Sequence, residues 1–325
     1  MFEQINKVKE QFEWGPEIMG KPFDFAQGKQ PPKVVVCGMG GSNLVSGFLE
    51  MVRPDLEILI HRSYGLPTTV SKNDLIIISS YSGNTEEALD SFDKAVSGGF
   101  NTVVITIGGQ LLELAQEKKV PYVQMPQTGV EPRMALGYSL LAMLKTIGDE
   151  ENLKKAQEFG KNFNPENFEK EGRTLAEKLR GKTPLIYSSW QNKAIIYAWK
   201  IKFNETTKIP AFFNVFPEVN HNEMVGFLTS GVATNGVCGG AINPYFIFLK
   251  DLQDHPRIQK RMEITEAMLK EKGFNVEVVD LKDGVFEKIF SSLALTDWTT
   301  YYLAQNYSFD PEDGSVIEEF KKKMN

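Results

Sequence analysis

The N-terminal half of the chain alternates short apolar runs with segments of helical periodicity. Runs such as Val34-Val35-Val36 and Leu75-Ile76-Ile77-Ile78 are continuous and β-branched, which is typical of parallel strands covered on both faces. This alternation indicates a doubly wound α/β layer, in which ligands bind at the carboxyl ends of the strands. We predict strands at 33–37, 56–61, 74–79, 102–107 and 121–125, and helices at 41–52, 84–98 and 110–118.

The second half resembles a variant of the first. A helix is predicted after Glu131-Pro132, since proline suits an early helical position, and a polar helical connector follows at 150–180. Alternation then resumes, with strands at 184–188, 211–216, 244–250 and 275–280 and helices at 191–208, 256–272, 284–306 and 313–324. The glycine-rich segment 231–243 has no assignment. We therefore predict two doubly wound α/β subdomains, residues 1–152 and 153–325, each with a mostly parallel sheet flanked by helices.

Small and hydroxyl-bearing residues follow two neighbouring strands of the first half. The loops read Gly38-Met39-Gly40-Gly41-Ser42-Asn43 and Ser79-Ser80-Tyr81-Ser82-Gly83-Asn84-Thr85. A strand–turn–helix unit directs free backbone N–H groups and the positive end of a helix dipole at one point, which suits a phosphate. Glycines let the backbone approach closely, and the hydroxyls add donors. We predict that both loops bind one phosphate of a small molecule through Gly40, Gly41, Ser42, Ser80, Ser82 and Thr85.

Two other interpretations of these loops are weaker. A dinucleotide site would require a glycine at Asn43, and Glu57 alone is weak support for a ribose contact. No lysine of the kind that binds nucleotide phosphates follows either loop. The remaining alternative is a pair of tight βα turns without a ligand. The number of hydroxyls in the second loop favours the phosphate site over that alternative.

Composition excludes several classes of partner. The 325 residues include 36 basic and 42 acidic side chains, a formal net charge of -6, which argues against nucleic acid as a partner. No apolar stretch is long enough to span a bilayer, and the N-terminus lacks the apolar core of a signal peptide, so no membrane association is expected. Cys37 and Cys238 lack metal-site spacing, and we expect a reducing, cytoplasmic location.

Two residues of the second half are candidates for chemistry. Glu205 lies near the end of a predicted amphipathic helix, where partial desolvation would let it act as a base; most glutamates, however, are simply solvated. His221 lies in the run Pro217-Glu218-Val219-Asn220-His221-Asn222-Glu223, whose amides and acids can tune an imidazole near neutrality. Loop hydrogen bonding alone is the alternative role. A metal site with Glu218 and Glu223 is disfavoured because no second histidine stands at helical spacing.

Arg133 is the candidate of the first half that lies outside the two loops. It stands at a predicted helix start, where a cation opposes the helix dipole. Such an unfavourable position indicates an anionic ligand that compensates the charge, with an ordinary surface arginine as the alternative.

Together these residues resemble the sugar isomerase (SIS) domain family, and within it the bifunctional phosphoglucose/phosphomannose isomerases of archaea and many bacteria. The resemblance covers nearly the whole chain. The serine loop is typical of phosphosugar-binding SIS domains, and the later motifs separate this branch from other SIS proteins. The matching motifs are Gly38-Met39-Gly40-Gly41-Ser42, Ser80-Tyr81-Ser82-Gly83-Asn84-Thr85, Glu131-Pro132-Arg133, Asn204-Glu205 and Asn220-His221-Asn222-Glu223.

The resemblance implies an aldose–ketose isomerase that acts on a phosphorylated hexose with no cofactor and no metal. It implies that Glu205 moves a proton between C1 and C2 and that Arg133 stabilises the enediolate. His221 would help to open the sugar ring from the partner subunit of a homodimer. A lysine near the C-terminus also belongs to the family's site, and Lys321 is the best match. These roles agree with the chemistry, which needs a base, an oxyanion stabiliser and a ring opener.

One departure from the family bears on substrate preference. Members that act on both epimers place a threonine one or two turns before the C-terminal lysine, where this chain reads Asp313-Gly314-Ser315. Either Ser315 supplies the hydroxyl or the hydroxyl is absent, so glucose 6-phosphate is more strongly expected as a substrate than mannose 6-phosphate. Another SIS enzyme acting on aminosugar phosphates and a non-catalytic phosphosugar sensor are the alternative functions. A sensor would usually add a DNA-binding helix-turn-helix, and none is evident.

Overall fold

The computed structural model describes residues 1–20, 33–230 and 243–324. The chain forms two compact units, one of residues Asn6–Asn164 and one that combines Met1–Ile5 with Pro165–Asn325. The position predicted for the domain boundary, residue 152, falls inside a helix, Glu150–Asn162, that belongs to the first unit. The chain therefore passes from one unit to the other between Asn164 and Pro165.

The first unit contains a five-stranded sheet in which every strand pairing is parallel. Its strands are β1 (Val34–Cys37), β2 (Ile58–His61), β3 (Leu75–Ser79), β4 (Asn101–Thr106) and β5 (Tyr122–Gln124). The order β2-β1-β3-β4-β5 places β1 beside β3, with Val36 opposite Ile77. Both runs of β-branched residues are fully buried, as their composition predicts for strands covered on two faces. All five predicted strands of this half are confirmed.

Helices cover both faces of this sheet. Helix α1 (Phe2–Asn6) belongs almost wholly to the other unit, and the helices of this unit are α2 (Gly40–Val52), α3 (Glu86–Ser97), α4 (Gly109–Glu117), α5 (Leu136–Thr146) and α6 (Glu150–Asn162). Alternate strand residues, among them Val35 and Ile76, pack against α3 and α4. The opposite face contacts α2 and α5. A single antiparallel bridge, between Met19 and Tyr122, extends the described sheet beyond its strands.

One helix start was predicted wrongly. The helix expected to begin after Glu131-Pro132 begins at Leu136, and residues 132–134 form a turn in which Met134 N–H donates to the Glu131 carbonyl over 2.8 Å. Pro132 is therefore not an early helical residue, and Arg133 precedes the helix rather than standing in its first turn. The turn is favoured because Pro132 and Arg133 lie against Gly41, and this tertiary contact overrides the local helical preference.

The second unit contains a four-stranded, all-parallel sheet with the same central arrangement. Its strands are β6 (Thr183–Ser189), β7 (Phe212–Phe216), β8 (Pro244–Lys250) and β9 (Asn275–Asp280), in the order β7-β6-β8-β9. The helices are α7 (Glu169–Lys178), α8 (Lys193–Thr206), α9 (Glu223–Ser230), α10 (Pro256–Glu271), α11 (Val285–Asn306) and α12 (Ser315–Met324). The first strand of each unit thus lies between the second and the third, which confirms the predicted similarity of architecture.

Aromatic side chains fill one side of the second sheet. Tyr187, Phe216, Phe246 and Phe248 pack together there with residues of α10. The other side contacts α8, which packs in turn against α11. A buried ion pair between Lys202 and Asp297 links α8 to α11. Helix α9 was not predicted, and the polar connector 150–180 consists of α6, a short 3-10 turn and α7. The glycine-rich segment 231–243 lies almost wholly outside the described residues.

Candidate active site

The two predicted phosphate loops lie side by side because their strands, β1 and β3, are neighbours. Ser42, in the first turn of α2, accepts a hydrogen bond from the backbone N–H of Tyr81 over 2.8 Å. The hydroxyl of Ser79 donates to the carbonyl of Ser42 over 3.3 Å. These two bonds join the loops directly. The structure therefore brings together the two segments that the sequence analysis assigned to one ligand.

The hydroxyls of the second loop occupy different environments. Ser80 is buried, and its Oγ donates to Thr85 Oγ1 over 2.9 Å and accepts from Gly83 N–H over 3.1 Å. Thr85 is the residue before the first turn of α3. Ser82 is exposed, and its Oγ accepts from Asn84 N–H over 3.2 Å. Ser80 and Thr85 thus shape the loop from within, whereas Ser82 is open to a ligand.

Glycine is required where the second loop meets its neighbour. Gly83 has a φ of +73°, in the left-handed region that side chains disfavour. A Cβ atom on Gly83 would lie 1.8 Å from the carbonyl oxygen of Gly108, in the loop after β4. On the first loop, a Cβ on Gly41 would lie 2.9 Å from the carbonyl oxygen of Pro132. Both glycines therefore let backbone segments approach where no side chain would fit.

Arg133 is held against the first loop by the same close approach. Its backbone N would lie 3.1 Å from a Cβ on Gly41. The side chain is only 8% exposed, and Nη1 is 3.3 Å from a carboxylate oxygen of Glu131. Tyr81, from the second loop, donates its hydroxyl to the Val130 carbonyl over 2.8 Å, and burial raises the pKa of that hydroxyl. The turn that carries Arg133 is thus attached to both loops.

Glu205 lies in the last turn of α8 and is half-buried. Asn204, beside it, donates its amide to the Ile209 carbonyl over 2.8 Å, which ends the helix. Lys208 follows with a positive φ of +58°, and its ammonium donates to two carbonyls, those of Glu205 and Asp313. Lys208 therefore ties the segment before α12 to the turn that carries Glu205. Sequence reasoning gave Lys208 no role, since neither its backbone conformation nor this distant contact leaves a signal in the pattern.

The C-terminal candidates lie in an exposed segment. Ser315 begins α12, and its hydroxyl donates to Asp313 over 3.1 Å. Lys321 is exposed, with its ammonium 2.6 Å from a carboxylate oxygen of Glu318. No residue of α12 is buried. Lys208 thus connects the start of this segment to Glu205 through Asp313, while Lys321 lies at the surface.

His221 is exposed on the turn between β7 and α9. Its backbone N–H donates to the Glu218 carbonyl over 2.9 Å, and Asn222 donates its side-chain amide to the Glu218 carboxylate. Glu223, the first residue of α9, accepts hydrogen bonds from Tyr187 and Asn214. The sequence pattern indicated the polar residues on either side of His221 but missed Tyr187 and Asn214 as the partners of Glu223, because their proximity to each other depends on the pairing of β6 with β7.

Within the described parts of the chain, no three histidine, cysteine, aspartate or glutamate side chains are grouped so that they could hold a metal ion. Among the same residues, no helix is long and apolar enough to cross a lipid bilayer. Cys37 is a buried thiol of β1, and its pKa is raised to about 12 because burial outweighs its hydrogen bond with Ser91. Cys238 lies outside the described residues.

Comparison with known proteins agrees with this geometry. Residues 168–324 match the model of the bacterial phospho-glucose isomerase C-terminal SIS domain. The bifunctional phosphoglucose/phosphomannose isomerase of Aquifex aeolicus is 32% identical, covering 99% of this chain and 98% of the relative. The enzyme of the same name from Caldicellulosiruptor bescii is 33% identical over 100% of this chain and 98% of its own length.

The solved structures extend the comparison to the fold. Glucosamine-6-phosphate deaminase from Thermotoga maritima superposes with a TM-score of 0.66 at 16% identity, covering 95% of this chain and 94% of that one. At this identity the likeness concerns the fold alone, which is that of paired parallel α/β layers. On the strength of the full-length sequence matches, the chain belongs to the family of bifunctional phosphoglucose/phosphomannose isomerases.

Proposed function

We propose that this protein interconverts fructose 6-phosphate with glucose 6-phosphate, and with mannose 6-phosphate, through an enediolate. The observation that carries the proposal is the direct hydrogen bond between the two loops, from Tyr81 N–H to Ser42. It supports a single anion-binding unit made of both loops, at the carboxyl ends of adjacent parallel strands. Full-length relatives named for this reaction support the choice of a hexose 6-phosphate as the substrate.

The phosphate group supplies binding energy that is remote from the reacting carbons. We assign Gly40, Gly41, Ser42, Ser80, Ser82 and Thr85 to this group. The exposed Ser82 hydroxyl is available to donate directly, whereas Ser42 and Ser80 keep the loops in shape through their own hydrogen bonds. Energy from a non-reacting group holds the open-chain sugar in place for proton transfer.

Proton transfer between C1 and C2 requires a base and a group that stabilises negative oxygen. We assign the base to Glu205, whose half-buried position is compatible with partial desolvation of the carboxylate. We assign stabilisation of the enediolate oxygen to the guanidinium of Arg133. Arg133 is largely buried, and its backbone lies against Gly41 of the first phosphate loop. The proton removed from C2 of an aldose is returned to C1, so the reaction balances without a redox partner.

Ring opening requires proton transfer at the ring oxygen and at the anomeric hydroxyl. We assign it to His221, assisted by Lys321. His221 is exposed on an anchored turn, which suits a residue that serves the partner subunit of a homodimer. The reaction is a step of carbohydrate metabolism, and we place it in the cytoplasm, where sugar phosphates are retained by their charge.

A coupled assay tests the activity. Fructose 6-phosphate is supplied, and glucose 6-phosphate and mannose 6-phosphate are measured with separate coupling enzymes. We expect both products, with glucose 6-phosphate formed faster if Ser315 does not replace the family threonine. Absence of both products would overturn the proposal, and turnover of glucosamine 6-phosphate instead would favour an aminosugar enzyme.

Subunit complementation tests the dimer. His221→Ala protein, reduced to a small residual rate, is mixed with inactive Glu205→Gln protein under conditions of demonstrated subunit exchange. Half of the dimers should then be mixed, and one site in each should have both residues intact, so about a quarter of wild-type activity should return. If subunits exchange and no activity returns, both residues act within one chain.

A further inference from the structure

The carboxylate of Glu223 is held by two side chains from adjacent strands. Tyr187 on β6 and Asn214 on β7 are register partners in the parallel sheet, so their side chains lie next to each other on one face. The Tyr187 hydroxyl donates to one carboxylate oxygen of Glu223, and the Asn214 amide donates to the other. Both oxygens of Glu223 therefore accept a hydrogen bond from the sheet.

Tyr187 and Asn214 are each oriented by contacts other than their hydrogen bond to Glu223. The Tyr187 side chain is buried among Phe216, Phe246 and Phe248, which fixes its ring. Burial, followed by the charge of Glu223, raises the pKa of Tyr187, so the hydroxyl remains a protonated donor. The side-chain oxygen of Asn214 accepts from the N–H of Val215 over 2.8 Å, which directs its amide nitrogen toward Glu223.

The turn between β7 and α9 is also anchored before His221, at residues 219 and 220. Val219 is 1% exposed and belongs to the aromatic core. Asn220 donates to Thr265 over 2.8 Å and accepts from Arg261 over 3.2 Å, which attaches it to α10. His221 is therefore the first exposed residue of a two-residue segment, 221–222, between a fixed residue at 220 and a fixed residue at 223.

We infer that Glu223, clamped by Tyr187 and Asn214, is a positioning residue that fixes the backbone from which His221 presents its imidazole. The inference rests on the proposed role of His221 in ring opening. A histidine on a freely moving turn would meet the ring oxygen in the correct orientation only part of the time, and a misplacement of about 1 Å costs on the order of a hundredfold in rate. Two strand-borne donors on one carboxylate limit that movement.

The test compares variants of the clamp with a matched carboxylate elsewhere in the unit. Glu223→Ala removes the clamp, Glu223→Gln keeps its shape and can still accept from Asn214, and Tyr187→Phe removes one donor while keeping the ring. The control is Glu277→Ala, since Glu277 also accepts from a tyrosine hydroxyl, that of Tyr245, over 3.0 Å. Glu277 lies on β9, two strands away from β6 in the sheet.

Two substrates separate ring opening from proton transfer. Glucose 6-phosphate must be opened, whereas 4,5-dideoxy-glucose 6-phosphate has no hydroxyl that can close a five- or six-membered ring. On glucose 6-phosphate, Glu223→Ala should lower kcat by about tenfold to a hundredfold with KM changed less than about twofold. On the ring-free analogue the same variant should keep near-wild-type turnover. Glu223→Gln should recover most of the loss, and Glu277→Ala should show none.

A double variant and hydrogen exchange complete the test. His221→Ala with Glu223→Ala should be no slower than His221→Ala alone, because the clamp acts only through the imidazole. Amide exchange at residues 221–223 should be faster in Glu223→Ala, a readout that does not depend on the reaction.

Specific results would overturn the inference. Equal losses on both substrates or additive losses in the double variant would assign Glu223 a role that does not act through His221, and unchanged amide exchange would show that Glu223 does not restrain the turn. If Glu223→Ala does not fold, Tyr187→Phe carries the same test, with a smaller selective loss on glucose 6-phosphate expected and an unselective or absent loss contradicting the inference. Wild-type protein that turns over neither substrate would instead contradict the proposed function.

Discussion

Replacement of Gly83 by alanine should damage the second phosphate loop through a backbone clash. The new Cβ would lie 1.8 Å from the Gly108 carbonyl oxygen, whereas real Cβ contacts essentially never fall below 3.0 Å. The partner is a backbone atom, so no rotamer change relieves the contact. One of the loops must shift by more than about 1 Å. Such a shift breaks the hydrogen bonds of Gly83 with Ser80 and with Leu111 N–H, the latter 2.9 Å long.

The loss of stability that the clash causes in Gly83→Ala can be separated from the ordinary cost of alanine at a positive φ. Alanine in the left-handed region costs roughly 1–2 kcal/mol wherever it occurs. Gly65 has a φ of +72°, against +73° for Gly83, and a Cβ there would meet nothing within 4 Å. Gly65→Ala should therefore lower the free energy of unfolding only by the cost of alanine in the left-handed region. Gly83→Ala should add about 1–3 kcal/mol for the clash and about 1 kcal/mol for each lost hydrogen bond.

Urea unfolding measures the loss of stability, and steady-state kinetics measure the loss of phosphate binding. We expect Gly83→Ala to lower the free energy of unfolding by at least about 2 kcal/mol more than Gly65→Ala. In the folded fraction, KM for fructose 6-phosphate should rise by about tenfold or more in Gly83→Ala and stay near the wild-type value in Gly65→Ala. Two variants that agree within about 0.5 kcal/mol and in KM would refute the close approach of the loops.

Three further outcomes are expected. Ser82→Ala should raise KM for fructose 6-phosphate by about tenfold with little change in kcat, because phosphate binds alike in ground and transition states; an unchanged KM with a collapsed kcat would contradict this role. Chelator treatment should leave the isomerase rate intact, since proton transfer needs no metal, and activity restored by one divalent ion would contradict that view. In a Cys238→Ser background, Cys37 should react with a thiol reagent only after unfolding, because burial raises its pKa to about 12; rapid labelling of native protein would show that β1 is accessible.

The central strands β1 and β3 could be predicted from the sequence because each contains a continuous apolar run. Burial on both faces removes the need for alternation, and Val34-Val35-Val36 and Leu75-Ile76-Ile77-Ile78 have no polar interruption. The proximity of the two hydroxyl loops was also predictable, since the carboxyl ends of parallel strands meet at one edge of a doubly wound sheet. The hydrogen bond from Tyr81 to Ser42 confirms that these loops are neighbours.

The remaining features depend on contacts between residues far apart in the chain. The turn at Arg133 replaces a helical start because Pro132 and Arg133 lie against Gly41, about ninety residues earlier. The grouping of Tyr187, Asn214 and Glu223 depends on the register of β6 with β7. Lys208 adopts a left-handed conformation that a lysine rarely prefers, and its contact with Asp313 spans 105 residues. Local patterns contain no information on such contacts.

The role of Glu205 is the central chemical claim, and one substitution tests it directly. Glu205→Gln keeps the shape of the side chain and removes its capacity to accept a proton, while Glu271→Gln makes the same change at an exposed position of α10. Isomerisation of fructose 6-phosphate in D₂O is followed by NMR, which reports both turnover and deuterium at C2 of the aldose. We predict that Glu205→Gln loses turnover and C2 labelling by about a hundredfold or more and still binds the sugar phosphate, while Glu271→Gln behaves as wild type. A Glu205→Gln protein with near-wild-type turnover would contradict the account.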